Sequence, residues 1–308
     1  MFDVYLQNEF WFAALQLILA MLGMGATLTL GDFTSVLKAP KAFGVGMLMQ
    51  IICVPLAAFL FIKGFSLEAG LAAGIAICAA IPGGTISNIF TFFAKGHVPL
   101  SISLSGVTTM ASLLTTPLIL GLLATSYLPE NFTMPSAQIA QDIVLYLLIP
   151  LCLGMLILKR FPKQAPTLSK ICVRLSLLVI VVMVVGAMGA GRVDFESIGF
   201  KNVVLINGLI AFLVFISYLI PKINDLKSTE VSAINIEITV RNINLGLLIN
   251  ASLFPAIGGI ADPIGNIAFS TLLIYGGSQL IFGTGIVMLA KLNILNLFPV
   301  TVASDTQN

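Results

Sequence analysis

A carboxylate, a guanidinium and three side-chain amides lie close together in one apolar stretch near residue 240. Glu237 and Arg241 are four residues apart, and Asn235, Asn242 and Asn244 surround them. A charged side chain near the centre of a bilayer costs about 2.5–3.5 kcal/mol on insertion scales. Two charges in one span therefore need a partner or a function. Two interpretations are open: a buried Glu–Arg ion pair that joins two helices, or an ion and substrate site at a break in a helix.

A second apolar stretch, 67–94, is interrupted in its middle by Pro82-Gly83-Gly84. Proline lacks an N–H and glycine favours other backbone conformations, so the helix should break there. Hydroxyl and amide side chains follow at Thr85, Ser87 and Asn88, and in the next span at Ser101 and Ser105, which share a helix face. These oxygens, with the Glu237 carboxylate, could bind sodium, while free helix N-termini would attract an anion. The alternatives are a packing kink and ordinary helix-packing serines.

The composition determines the class of protein that must position these groups. The chain has 308 residues, of which 58% are hydrophobic and 9% charged, with a mean hydropathy of +1.07. A soluble domain has about 25% charged residues, so this is an integral membrane protein in contact with a lipid bilayer. The formal charge is only +2 and no basic run suggests a nucleic-acid partner.

The four cysteines lack C-x-x-C spacing, so we interpret them as small buried apolar residues. We expect no cleavable signal, because residues 1–9 contain no basic residue.

Stretches long enough to cross a bilayer need about 20 residues, and the chain offers nine candidates. They lie near 10–30, 42–62, 67–94, 98–124, 137–158, 169–190, 199–220, 229–253 and 264–290. Lys and Arg favour one side by eleven to three, which predicts an amino terminus outside and a carboxyl terminus in the cytoplasm. We expect a single transmembrane domain, 1–308.

The two interrupted spans are the third and the eighth, so they run in opposite directions through the membrane. Antiparallel broken helices are typical of an inverted-topology repeat, in which ions and substrate bind where the breaks meet. The predicted fold class is therefore an all-α polytopic membrane protein with nine transmembrane helices, an inverted-topology repeat and two broken crossing helices.

Two segments, PGGTISN at 82–88 and EITVRNINLG at 237–246, resemble the bile acid:sodium symporter family. The resemblance covers nearly the whole chain and is closest to nine-helix, bacterial-like members. It implies a core domain, from spans 42–124 and 199–290, and a panel domain, from spans 10–30 and 137–190. It also implies a location in a bacterial inner membrane.

The resemblance assigns the site residues. The first sodium ion would bind Ser87, Asn88, Ser101, Ser105 and Glu237. A second would use Gln50, Glu237 and the carbonyls of Ile238 and Val240. The organic anion would lie near Thr85 and Asn242, and we add Asn244 and Arg241 as candidate substrate contacts.

Arg241 departs from the family, which usually has glutamine at this position. A guanidinium is always charged and has no acceptor, so it cannot bind sodium. We therefore predict one sodium site or fewer, with the Ser87–Glu237 site kept and Arg241 in place of the second ion.

We expect a sodium-coupled symporter of small organic anions that works by alternating access, with sodium as the bound ion. The alternatives are a sodium-independent or proton-coupled organic anion transporter and, from other classes, an intramembrane enzyme or a channel. The sequence has no H-E-x-x-H motif or paired aspartates near mid-membrane for an enzyme, and no continuous polar stripe for a channel.

Overall fold

The computed structural model describes residues 2–34, 39–128, 132–193, 195–256 and 260–292. Within these ranges the chain is helical and forms no β-strand. The helices are α1 Phe2–Gly25, α2 Leu30–Thr34, α3 Pro40–Leu48, α4 Val54–Gly64, α5 Ala69–Ala80, α6 Thr85–Phe93, α7 Val98–Leu123, α8 Ser136–Asp142, α9 Ile149–Arg160, α10 Ala165–Gly189, α11 Phe195–Ile223, α12 Ser228–Thr239, α13 Ile243–Leu253 and α14 Pro263–Lys291.

Seven helical stretches among the described residues are long and apolar enough to cross a membrane. They are Tyr5–Gly25, Pro40–Gly64, Val98–Leu123, Ser136–Arg160, Ala165–Gly189, Ile198–Ile223 and Pro263–Lys291. Their outward faces are apolar: Leu114, Leu118 and Leu122, one turn apart on α7, are 76%, 63% and 70% exposed. Such a surface is compatible with lipid rather than water, so the chain is a polytopic membrane protein.

Two of these seven stretches contain a π-helical turn. The turn Met49–Cys53 joins α3 to α4 and the turn Ile143–Leu148 joins α8 to α9. Each ends close to a proline, Pro55 or Pro150. Because proline has no N–H, one carbonyl a turn earlier loses its helical partner, and the wider turn rearranges the neighbouring hydrogen bonds without ending the helix.

The remaining helices in the middle of the molecule are short. α5 ends at Ala80 and α6 begins at Thr85, whereas α12 ends at Thr239 and α13 begins at Ile243. Both interruptions fall where the sequence changes from apolar to polar or to Pro-Gly-Gly. The two breaks meet: Gly83 and Arg241 form an antiparallel bridge.

Glycines allow close helix contacts around this centre. A Cβ on Gly74 of α5 would lie 2.6 Å from the Thr271 Cβ of α14. A Cβ on Gly154 of α9 would overlap the α1 backbone. Small residues at helix contacts let backbones approach closely, as in membrane proteins generally.

The first expected span, 10–30, is placed too late in the chain. The helix α1 is Phe2–Gly25, and the candidate span within it is Tyr5–Gly25. Its first two turns contain the polar residue Glu9, which hydropathy penalises, yet Glu9 is only 4% exposed because Arg192 pairs with it.

Candidate functional site

The backbone at the two breaks is hydrogen-bonded across the crossing. The Gly84 N–H donates to the Val240 carbonyl at 3.1 Å, and the Asn242 N–H donates to the Pro82 carbonyl at 2.9 Å. Unpaired backbone groups at membrane depth would each cost several kcal/mol. The crossing of the two broken segments is therefore what allows each of them to be non-helical.

Three serine hydroxyls surround the Glu237 carboxylate. Ser87 Oγ donates to Oε2 at 2.6 Å, Ser105 Oγ donates to Oε1 at 2.6 Å, and Ser101 Oγ lies 3.2 Å from Oε2. Asn88 Oδ1 accepts from Ser101 Oγ at 2.8 Å. Glu237 and the three serines are at most 1% exposed. Side chains from α6, α7 and α12 thus form one buried group of oxygen atoms, which we call the Glu237 cluster.

The Glu237 cluster has the chemistry of a hard-cation site. A serine hydroxyl can turn its hydrogen away and present a lone pair, and an amide oxygen accepts only. Oxygen ligands suit hard cations, and the number of charged ligands tunes affinity. Throughout the described residues, no three His, Cys, Asp or Glu side chains come together. Because Glu237 is the cluster's single carboxylate, a monovalent ion balances its charge.

Gly83 is required for the position of the carboxylate. A Cβ at Gly83 would overlap Oε1 of Glu237. The carboxylate therefore lies directly against the break and close to the start of α6. The positive end of the α6 dipole stabilises negative charge at that point.

The Arg241 guanidinium lies at the other side of the crossing, at the carboxyl end of α5. Its Nη2 donates to the carbonyls of Ala79 at 3.0 Å and Ile81 at 2.6 Å, and its Nε donates to the Cys78 carbonyl at 3.1 Å. Its Nη1 donates to Gln50 Oε1 at 2.7 Å. The last carbonyls of a helix carry the negative end of its dipole, so a cation is favoured there.

These contacts contradict the ion-pair interpretation of Glu237 and Arg241. The carboxylate is bound by serine hydroxyls and the guanidinium by carbonyl and amide oxygens, and no salt bridge joins these two described side chains. Spacing of four residues places two side chains on the same face only if the helix continues. Here α12 ends at Thr239, so the two groups diverge.

Of the residues assigned to a second sodium ion, Gln50 contacts Arg241 directly. Gln50 Oε1 accepts from the guanidinium, and the Val240 carbonyl accepts from Gly84. Ile238 is buried in the last turn of α12.

The residues assigned to the substrate lie at the starts of the two inner helices. Thr85 is the first residue of α6 and is half-buried. Asn242 caps α13, where its Oδ1 accepts from the Leu245 N–H at 3.4 Å, and its Nδ2 lies 3.9 Å from Met21 Sδ of α1. Asn244 is half-buried in the first turn of α13. Two helix N-termini thus lie near the crossing, where an anion would be favoured.

Sequence reasoning missed several polar residues that support the site. Gln279 of α14 accepts from the Arg241 N–H at 2.7 Å, and Tyr275 donates to the Thr239 carbonyl at 3.2 Å. Thr116, which the sequence suggested only as a packing residue, donates to the Ala80 carbonyl at 2.8 Å. Gln279 could have been found by the criterion that selected Gln50, a lone amide in an apolar span.

Comparisons with known proteins show the family of this chain. The sequence model of the Sodium Bile acid symporter family matches residues 14–192, more than half of the chain. The chain belongs to this family. Within the family it is 30% identical to the "Uncharacterized sodium-dependent transporter YocS" of Bacillus subtilis, over 79% of this chain and 75% of the relative.

Two further relatives come from a plant and a mammal. "Probable sodium/metabolite cotransporter BASS1, chloroplastic" of Arabidopsis thaliana is 30% identical over 76% of this chain and 57% of its own length. The "Sodium-dependent organic anion transporter" of Bos taurus is 36% identical over 65% of this chain. The chain spans little more than half the length of these two relatives, 57% and 52%. All three carry the names of transporters, which decides against the enzyme alternative.

Proposed function

We propose that this protein is a symporter that couples the entry of a small organic anion to the inward movement of sodium. The observation that carries the proposal is the Glu237 cluster: one buried carboxylate, three hydroxyls and an amide oxygen from three helices that meet at a double helix break. Its chemistry fits sodium, and relatives of this chain carry the names of sodium-dependent transporters.

Sodium would bind between Glu237, Ser87, Ser101, Ser105 and Asn88. The bound ion would replace the hydroxyl–carboxylate hydrogen bonds and join α6 and α7 to α12. Because α6 and α12 each border one of the two breaks, the occupied cluster would hold α6 and α13 in position for the substrate. Coupling follows, since an ion that orders the substrate site raises substrate affinity by the same factor that substrate raises ion affinity.

The substrate would be an anion that uses the N-termini of α6 and α13, which lie near the crossing. Thr85 and Asn242 lie at these termini, and Asn244 lies in the first turn of α13. A carboxylate suits such a site because backbone N–H groups and the helix dipole both favour negative charge. The Arg241 guanidinium is engaged by Gln50 and three carbonyls, so we now favour a role for Arg241 other than substrate contact.

Arg241 would act as a fixed cation in place of a second sodium ion. Its charge is stabilised by the same kind of ligand, carbonyl and amide oxygens, that a sodium ion would use. Two cations cannot share these oxygens, and like charges in a partly desolvated site repel strongly. The proposed stoichiometry is one sodium ion per cycle.

The wider architecture in this proposal has nine spans. Each pair of short helices, α5 with α6 and α12 with α13, would count as one broken span, antiparallel to the other. Core spans 42–124 and 199–290 would move against panel spans 10–30 and 137–190 to expose the site alternately. The amino terminus would face outward and the carboxyl terminus the cytoplasm of a bacterial cell.

Flux measurements in proteoliposomes test the function directly. Carboxylates are first screened by thermal shift with and without sodium, because ligands that bind the folded state raise its stability. The best ligand is then assayed with inward gradients of sodium, of protons, or of neither. Saturable uptake driven by sodium is expected. Uptake driven equally by protons alone would support the proton-coupled alternative, and non-saturating flux would indicate a channel.

A further inference from the structure

A buried arginine joins two groups of helices at the end of the molecule where α1 begins. Arg192 lies in the link between α10 and α11 and is 1% exposed. Its backbone N–H donates to the Ala187 carbonyl at 2.9 Å, which fixes it to the end of α10. Glu9 of α1 forms an ion pair with Nη1. Both anchoring contacts come from helices that the proposed function places in the panel.

The other contacts of this guanidinium come from α14, which the proposed function places in the core. Nε donates to Asn266 Oδ1 at 2.8 Å, and Cζ lies 5.5 Å from the centre of the Phe269 ring. Within the described part of the chain, Nη2 makes no hydrogen bond. Arg192 therefore connects the two helix groups: its guanidinium pairs with Glu9 of α1 on one side and binds Asn266 of α14 on the other.

The energetics of this contact favour one that opens and closes over one that stays formed throughout. A buried ion pair gains little net stability over apolar packing, because desolvation offsets the Coulomb attraction. Because Nη2 is buried without a hydrogen-bond partner among the described residues, the desolvation cost of the guanidinium is larger still. If the helix groups separated at this end, water would rehydrate the guanidinium and recover much of its desolvation cost. The contact between the two helix groups therefore contributes little net free energy to the closed conformation.

We propose that Arg192, positioned by Glu9 and bound to Asn266, is the latch that closes this end of the transporter. The proposal rests on the proposed function, since it assumes that the two helix groups separate. Breaking the latch should favour the conformation that is open on the side of the amino terminus.

Thiol labelling of a single reporter tests the latch. Met21 is fully buried on α1 and contacts Asn242 at the crossing, so Met21→Cys reports opening between the two helix groups. It is placed in a protein that lacks the four native cysteines, and an impermeant maleimide is added to either face of oriented vesicles. Asn266→Ala removes the acceptor on α14 without unpairing a charge, and Glu9→Gln releases the guanidinium.

Both variants should be labelled roughly tenfold faster from the amino-terminal face, because labelling follows the open fraction, and no faster from the other face. The matched control is Ser176→Ala, which removes a buried polar contact with Gln16, 3.0 Å away, between α1 and α10 of the same group. It should label like the parent. Glu9→Gln could fail to fold, but Asn266→Ala leaves the ion pair intact and still decides the question.

Unchanged labelling of folded Asn266→Ala, with or without a lower melting temperature, would show that the contact is structural and overturn the latch. Failure of the proposed function gives a different result: the cysteine-free protein with Met21 retained would show no sodium-driven uptake. The two proposals can thus fail separately.

Discussion

Replacement of Arg241 by glutamine tests whether the guanidinium takes the place of a second sodium ion. The guanidinium donates four hydrogen bonds, to the carbonyls of Cys78, Ala79 and Ile81 and to Gln50 Oε1. Hydrogen bonds to charged groups contribute about 1.5–3 kcal/mol each, and the shorter carboxamide cannot reproduce all of them. Arg241→Gln should therefore be less stable than the parent by several kcal/mol in sodium-free buffer. The vacated oxygens and the new carboxamide would then form a site for a second sodium ion.

The sodium dependence of stability measures this change. One sodium site stabilises the folded protein by about 2.7 kcal/mol at 100 times its Kd, and two equal sites by about 5.4 kcal/mol. The sodium-induced rise in melting temperature should thus be larger for Arg241→Gln than for the parent. The Hill coefficient for sodium-driven uptake should be near one in the parent and higher in the variant.

Two further substitutions at this position separate the effect of the charge from the effect of the new oxygen ligand. Arg241→Lys retains the charge with fewer donors, so it should keep a single-sodium response even if it is less stable. Arg241→Met loses the charge but supplies no oxygen, so its second site should be weaker than that of Arg241→Gln. A parent that already binds two sodium ions cooperatively would refute the reasoning, as would a Lys variant that responds like the Gln variant.

The other predictions concern the Glu237 cluster. Glu237→Gln keeps the shape but removes the charge that balances sodium, so sodium-driven uptake should fall to background; near-normal uptake would rule out the site. Ser101→Ala and Ser105→Ala each remove one oxygen and should raise the sodium concentration for half-maximal uptake severalfold while folded yield is maintained. If the sodium affinity stays at the parent's value in both, the serines only pack helices. Gly83→Ala must displace the Glu237 carboxylate and should abolish the stabilisation by sodium, whereas Gly277→Ala, where a Cβ meets nothing within 4 Å, should keep it; equal sodium responses in the two alanine variants would contradict the tight fit at Gly83.

Local sequence determined the elements and the positions of the breaks. Apolar length alone predicts the long helices, because a bilayer accepts only segments that satisfy their own backbone. Pro82-Gly83-Gly84 predicts the first interruption, since proline removes a helical hydrogen bond and glycine tolerates other conformations. The oxygen-rich residues that follow, such as Ser87 and Ser105, could be selected because polar groups in an apolar span need partners.

Tertiary structure alone decided which partners those residues have. Glu237 and Arg241 look like an ion pair in the sequence, but α12 ends between them, and each side chain reaches oxygens contributed by helices distant in the chain. Residue 83 must be glycine because the Glu237 carboxylate, 154 positions later in the chain, lies against it. No local sequence pattern predicts that contact. Arg192 reads as an ordinary loop arginine, and its burial follows from the packing of α1, α10 and α14. Sequence patterns record local backbone preference and hydropathy, whereas the pairing of buried charges depends on where long-range helix packing brings oxygen atoms together.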